Sequence, residues 1–160
     1  MTFPAWNAGT PGVTIDAADH DDREWAAEVM AGSDPWITLG RDLAACRRVC
    51  LNLDHQVFVA RRERHRLGFA LAHRRGVVGS PYLATLAVAS EHRGHGIGSL
   101  LLRFVEQHYR PEARHLFICV SSFNPRARRL YERVGYTPVG EIQDYFIDGA
   151  SELLMHNRLR

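Results

Sequence analysis

Between residues 82 and 109 the chain passes from an almost wholly apolar run, Tyr82-Leu83-Ala84-Thr85-Leu86-Ala87-Val88, through a glycine-rich connection into an amphipathic stretch. A run of this kind has no polar face to turn toward water, so it predicts a strand covered on both sides, at the centre of a sheet. Beyond it Ile97, Leu101, Phe104, Val105 and His108 recur at helical spacing, and Pro111 marks the stop. The expected unit is a buried strand, a loop containing Gly94, Gly96 and Gly98, and a helix.

The remaining elements are read around this unit. Residues 13–15 form a short β-like run, and Asp16 with Asp19, Asp21 and Asp22 supplies acidic start signals for a helix over 24–30. Asp34 before Pro35, followed by Trp36, Leu39, Leu43, Cys46 and Cys50 at helical spacing, predicts a second helix over about 35–49. Residues 56–60 and 67–72 are strand candidates forming an antiparallel hairpin, with the arginines of the intervening RRERHR turn on its solvated tip. A strand follows over 116–120. Asn124-Pro125 then opens a helix closed by Gly135, and two strands over 137–142 and 152–157 flank the turn at Asp148-Gly149. The order β, α, α, β, β, β, α, β, α, β, β does not alternate strictly. It predicts an α/β fold with a mixed, mostly antiparallel central sheet flanked by helices on both faces.

A length of 160 residues, 46% hydrophobic and 24% charged, fits one domain, expected over 13–160 behind a loose arm over 1–12. All 20 cationic side chains are arginine, yet 18 carboxylates leave a net charge of only +2, which does not suit a nucleic-acid binder. No window reaches the roughly 18 apolar residues of a membrane span, and the opening MTFPAWNAGTPG lacks a signal-peptide pattern. Three cysteines without a CxxC pair give neither a disulfide framework nor a zinc ribbon, and Cys46 and Cys50 read as small buried hydrophobes. The expectation is a soluble cytoplasmic protein without metal. His92 and His95 form an HxxH pair across the glycine loop, with no acidic third ligand.

The loop Arg93-Gly94-His95-Gly96-Ile97-Gly98 joins a buried strand to a helix N-terminus. Glycines let backbone N–H groups approach an anion closely, and the helix adds orphan amides and the positive end of its dipole. A phosphate or pyrophosphate is the natural guest; the alternative is a glycine-rich turn holding nothing. A P-loop needs a lysine, and this chain has none. A dinucleotide fingerprint beginning at Gly94-His95-Gly96 meets Ser99 where its third small residue belongs, and the loop sits past mid-chain.

These residues resemble the GNAT superfamily of acyl-CoA-dependent N-acyltransferases. Its loop signature stands as Arg93, Gly96 and Gly98, and its second signature as Asn124, Ala127, Tyr131, Gly135 and Tyr136. The resemblance covers about residues 58–159. It implies acetyl-CoA as cosubstrate, with the pyrophosphate on the amides of Arg93, Gly94, His95, Gly96, Ile97 and Gly98. It also implies that the pantetheine arm pairs like an added strand with the backbone of Leu86, Ala87 and Val88. Asn124 would bond the pantetheine region or cap its helix. One of Arg126, Arg128, Arg129 and Arg133 would meet the 3′-phosphate, the alternative being a solvated helix face.

The implied reaction moves acetyl to a primary amine of a small molecule or a protein. It needs a base for the ammonium and an acid for the departing thiolate. The motif places Tyr131 as the acid. A branch acting on protein N-termini carries Glu where this chain has Cys119, so the base is open, with Glu141, Asp144 and a water relay past Tyr82 or Thr85 as candidates. Cys119 reads as a buried neutral thiol. Trp36, Tyr145 and Phe146 either shape the acceptor side or belong to the core. A homodimer through the C-terminal strands is a further implication. The functional alternatives are a non-catalytic acyl-CoA-binding regulatory module on the same fold and, more remotely, a nicotinamide enzyme.

Overall fold

The computed structural model describes residues 10–160, so the expected arm falls outside the described residues except for a turn over 10–12. The elements follow the predicted order: β1 (Val13–Ala17), α1 (His20–Ala31), α2 (Leu43–Cys50), β2 (Gln56–Arg62), β3 (His65–Val77), β4 (Ser80–Val88), α3 (Ile97–Tyr109), β5 (His115–Ser121), α4 (Pro125–Val134), β6 (Thr137–Gln143) and β7 (Ser151–Arg158). The strands form one sheet in the order β1-β2-β3-β4-β5-β7-β6. Every neighbouring pair is antiparallel except β4 with β5.

Because side chains alternate across a strand, β2 sends Val57 and Val59 to one face and Phe58 and Ala60 to the other. The first pair packs with Ala26, Met30, Cys46 and Cys50 of α1 and α2, together with Phe69 and Leu71 of β3. The second packs with Leu101, Phe104, Val105 and Tyr109 of α3 and with Tyr131 of α4. Helices therefore cover both faces, and Cys46 and Cys50 are fully buried hydrophobes. In β4 only alternate residues, among them Leu83, Thr85 and Ala87, are fully buried; Tyr82, Ala84, Leu86 and Val88 are half-buried because they border cavities.

Two local expectations are corrected. The second helix begins at Leu43 and not at Pro35: residues 34–40 form turns, Gly40 adopts a left-handed φ of 67°, and the Asp42 side chain recaps the chain by accepting from the Ala45 N–H at 2.8 Å. The RRERHR segment is mostly strand, turning at Glu63-Arg64, and two of its arginines point inward. Arg61 and Arg66 both bond the carboxylate of buried Asp22, the latter at 2.8 Å, while Asp22 and Asp19 cap the start of α1 reciprocally. β6 is an edge strand exposed along its whole length.

Candidate active site

β4 and β5 are parallel neighbours at only two positions, Tyr82 with Phe117 and Leu83 with Ile118. Just beyond, the β3–β4 register slips so that Ala72 faces Leu83 while Leu71 faces Thr85, leaving Ala84 as a bulge. From there to Val88 no strand pairs with β4 on its β5 side among the described residues, and two cavities occupy the gap.

The larger cavity, about 670 Å³, is lined by Leu86, Ala87 and Val88 of β4 and by His92, Arg93, Gly94, Gly96, Ile97 and Gly98, with Arg126, Arg129 and Arg133 of α4 opposite. Gly94 and Gly96 take φ of 80° and 81°, a conformation that L side chains adopt at a cost, and a Cβ on either would enter open space. Gly96 is the N-cap of α3 and offers no side chain to its first-turn amides. Arg93 fixes the loop: its Nε donates to the Val88 carbonyl at 3.1 Å and its Nη2 to the Ser33 hydroxyl at 3.2 Å. Arginines with open helix amides, against the single carboxylate of Asp34, make the wall electropositive.

The smaller cavity, about 330 Å³, is lined by Tyr82, Thr85, Cys119, Ser121, Tyr131 and Glu152, with Trp36, Leu39, Arg41, His55, His73 and Phe146 around them. Asp34, Trp36, Leu86, Asn124 and Ala127 border both cavities, so the two meet where the strands part. Asn124 caps α4, its Oδ1 accepting from the Ala127 N–H at 3.2 Å. Tyr131 is buried. Burial and then the neighbouring Cys119 raise its phenol well above the ordinary value, so it keeps its proton at any working pH. Burial, reinforced by the charge of Glu152, pushes the Cys119 thiol up to about 12, so it is neutral and no nucleophile. Burial likewise raises Tyr82 and lowers His73, whose ring stands edge-on to His55 at 4.2 Å.

Several predicted site residues lie elsewhere. His95 borders neither cavity; it is exposed, its Nδ1 3.3 Å from the His92 carbonyl. Glu141, exposed on β6, accepts from the Ser151 hydroxyl, and Asp144 holds the β6–β7 turn by accepting from the Gly149 N–H at 2.6 Å. Neither carboxylate borders either of these two cavities. Tyr145 is exposed beside Phe146, whose ring lies 5.5 Å from the Arg41 guanidinium. Arg128 pairs with Glu132 at 2.8 Å, outside the larger cavity. The sequence reading missed His55, His73, Arg41 and Glu152, because only the pairing of distant strands and loops brings them to one place. Among the described residues no three His, Cys, Asp or Glu side chains converge as a metal site, and no helix is long and apolar enough to cross a membrane.

The chain shares 37% identity over 79 residues with an N-acetyltransferase of Methanocaldococcus jannaschii, a match of 48% of this chain and 51% of that protein. It thus spans about half the length of that relative. A GNAT-family structure from Desulfovibrio desulfuricans superposes with a TM-score of 0.80 at 17% identity, over 92% of this chain and 99% of that one. The spermidine N-acetyltransferase of Vibrio cholerae, solved with CoA and spermine, gives a TM-score of 0.75 at 15% identity, over 94% and 97% of the two chains. At these identities the two structures speak for the fold. The family model for the acetyltransferase (GNAT) family matches residues 18–136, close to three quarters of the sequence, and the chain belongs to that family.

Proposed function

We propose that this chain is an N-acetyltransferase, a single domain over 13–160, that moves an acetyl group from acetyl-CoA directly to the primary amine of a small molecule or a protein. The observation that carries this reading is the meeting of an electropositive, glycine-walled cavity with a second cavity holding Tyr131, at the point where β4 and β5 part.

The residues present fit the cosubstrate. The open space above Gly94 and Gly96 admits a pyrophosphate against the amides of residues 93–98. One of Arg126, Arg129 and Arg133 suits the 3′-phosphate by a forked contact. The unpaired side of Leu86, Ala87 and Val88 can pair with an extended amide-bearing arm, and Asn124 stands beside it. Bound acetyl-CoA supplies an acyl group on a thiol leaving group. Tyr131, protonated and buried, donates to the sulfur as it departs. Trp36 and Tyr82 wall the acceptor side, with Phe146 at its rim. The complex of the Vibrio cholerae relative with CoA and spermine supports an amine as acceptor.

The test is a calorimetric titration with acetyl-CoA, with CoA and NAD as controls, followed by a panel of amines read as thiol release. Acetyl-CoA binding with release on an amine is the expected result. Binding without release on any amine favours a regulatory module, and no binding by folded protein overturns the reading.

A further inference from the structure

Glu152 is buried in β7, and among the described residues no cation forms an ion pair with it. A buried carboxylate without a counter-charge is costly unless something positive joins it. The register of β5 with β7 sets Glu152 opposite Ser121, whose hydroxyl donates to Oε1, and Cys119 lies two residues earlier on the same face of β5. The carboxylate therefore stands among groups that cannot neutralise it: the Ser121 hydroxyl, the neutral Cys119 thiol, and the phenols of Tyr82 and Tyr131, with Tyr145 approaching from the β6–β7 turn. Glu152 also borders the cavity that Tyr131 borders.

We propose that Glu152 receives the acceptor's ammonium group and takes its proton. This rests on the acetyltransferase reading and deepens it. The site selects acceptors that present one primary ammonium to a carboxylate, and the base that other candidates left open comes from β7, across the strand pair from Ser121. The protons balance as follows. The ammonium gives one proton to Glu152, which passes it to solvent. The freed amine forms the C–N bond as the C–S bond breaks. The second nitrogen proton leaves by the same carboxylate to solvent, Tyr131 protonates the sulfur and recovers its proton from solvent, and the net reaction releases one proton per acetyl group transferred. Of the other groups lining the cavity, Arg41 lies 5.5 Å from the Phe146 ring and forms no ion pair with Glu152, and His73 packs on His55 and is kept neutral near pH 7 by burial, so neither Arg41 nor His73 supplies the missing positive charge.

The experiment compares the wild-type chain with Glu152→Gln, which keeps an oxygen for Ser121. Acetyl-CoA affinity is measured first, and then thiol release with alaninamide, phenethylamine, putrescine and hydroxylamine. Hydroxylamine is largely uncharged at neutral pH and needs no base. Glu152→Gln should bind acetyl-CoA within about twofold of wild type and lose about 10²- to 10⁴-fold in turnover of an alkylamine near pH 7. That deficit should shrink as pH rises toward about 9.5, where a much larger fraction of the amine is free than at pH 7. With hydroxylamine the loss should be at least an order of magnitude smaller. Equal losses on both kinds of nucleophile at every pH, or no loss, overturn the proposal, as does wild-type release from hydroxylamine alone. A wild-type chain that binds no acetyl-CoA, or releases thiol with none of the four, overturns the acetyltransferase reading and this inference with it. Should the Gln variant not fold, Glu152→Asp carries the test: a carboxylate drawn back by one methylene should slow alkylamines at least tenfold and hydroxylamine less than threefold, and equal effects overturn the role.

Discussion

Leu83 of β4 and Ile118 of β5 are the last pair before the two strands part, and both remain buried in the core beneath the opening. The split is thus anchored at its closed end by packed side chains, while its open end leaves backbone groups of β4 without a strand partner. A sheet that opens this way keeps its rigidity and still offers an edge inside the molecule, where an extended ligand is shielded from water.

Replacing Tyr131 by Phe removes the phenolic proton and little else, since the ring stays packed beside Tyr136 at 6.1 Å. Turnover should fall about 10²-fold or more while acetyl-CoA affinity changes less than about twofold. Steady-state kinetics with calorimetry checks this, and unchanged turnover removes Tyr131 from the acid role.

At Gly96 a side chain meets no protein atom within 4 Å, so the cost of Gly96→Glu arises from its left-handed φ and from the guest it would displace. The strain is on the order of 1–2 kcal/mol, a modest fall in melting temperature. Cofactor binding should instead be abolished, because a carboxylate would project into the space assigned to phosphate. Affinity close to wild type in the folded variant would reject the pyrophosphate assignment.

Arg126, Arg129 and Arg133 wall the larger cavity, whereas Arg128 is held by Glu132 on the same helix. One of the first three, changed to Ala, should weaken CoA about 10- to 150-fold and dephospho-CoA far less, since a charge-assisted contact is worth roughly 1.5–3 kcal/mol. Arg128→Ala should leave both affinities alike. Equal weakening of both ligands by every substitution would mean that the helix contributes only diffuse charge.

Legibility in the sequence followed the range of the forces involved. The order of elements, the glycine loop and Asn124 as a cap rest on local chemistry, and a linear reading finds them. The second helix was read too long because Trp36 and Leu39 keep helical spacing through a segment that Gly40 turns aside. Arg61 and Arg66 looked solvated because their partner, Asp22, lies about forty residues away in the chain. Glu152 gave no signal at all: its place beside Ser121 exists only through the β5–β7 register, while Glu141 and Asp144, nearer the aromatic turn in sequence, are tied into hydrogen bonds of their own.

Asp22 joins the start of α1 to β2 and β3, and its replacement tests how much that junction contributes. Burial pushes its carboxyl up, but hydrogen bonds from Arg61, from the Asp19 N–H and from Arg66 outweigh it and hold the group below the ordinary carboxylate value. A depressed folded-state value means that the ionised form favours folding. Its contribution is complete above the unfolded value of about 3.9 and is lost as pH falls through the lower folded value. Asp22→Asn should therefore cost about 2–3 kcal/mol near neutrality, somewhat less than a fully buried pair because both guanidinium groups reach solvent. The gap between wild type and variant should narrow as the pH drops below about 4. Urea unfolding across that range measures it, and a gap that stays constant with pH would show that the charge of Asp22 does not hold α1 to the sheet.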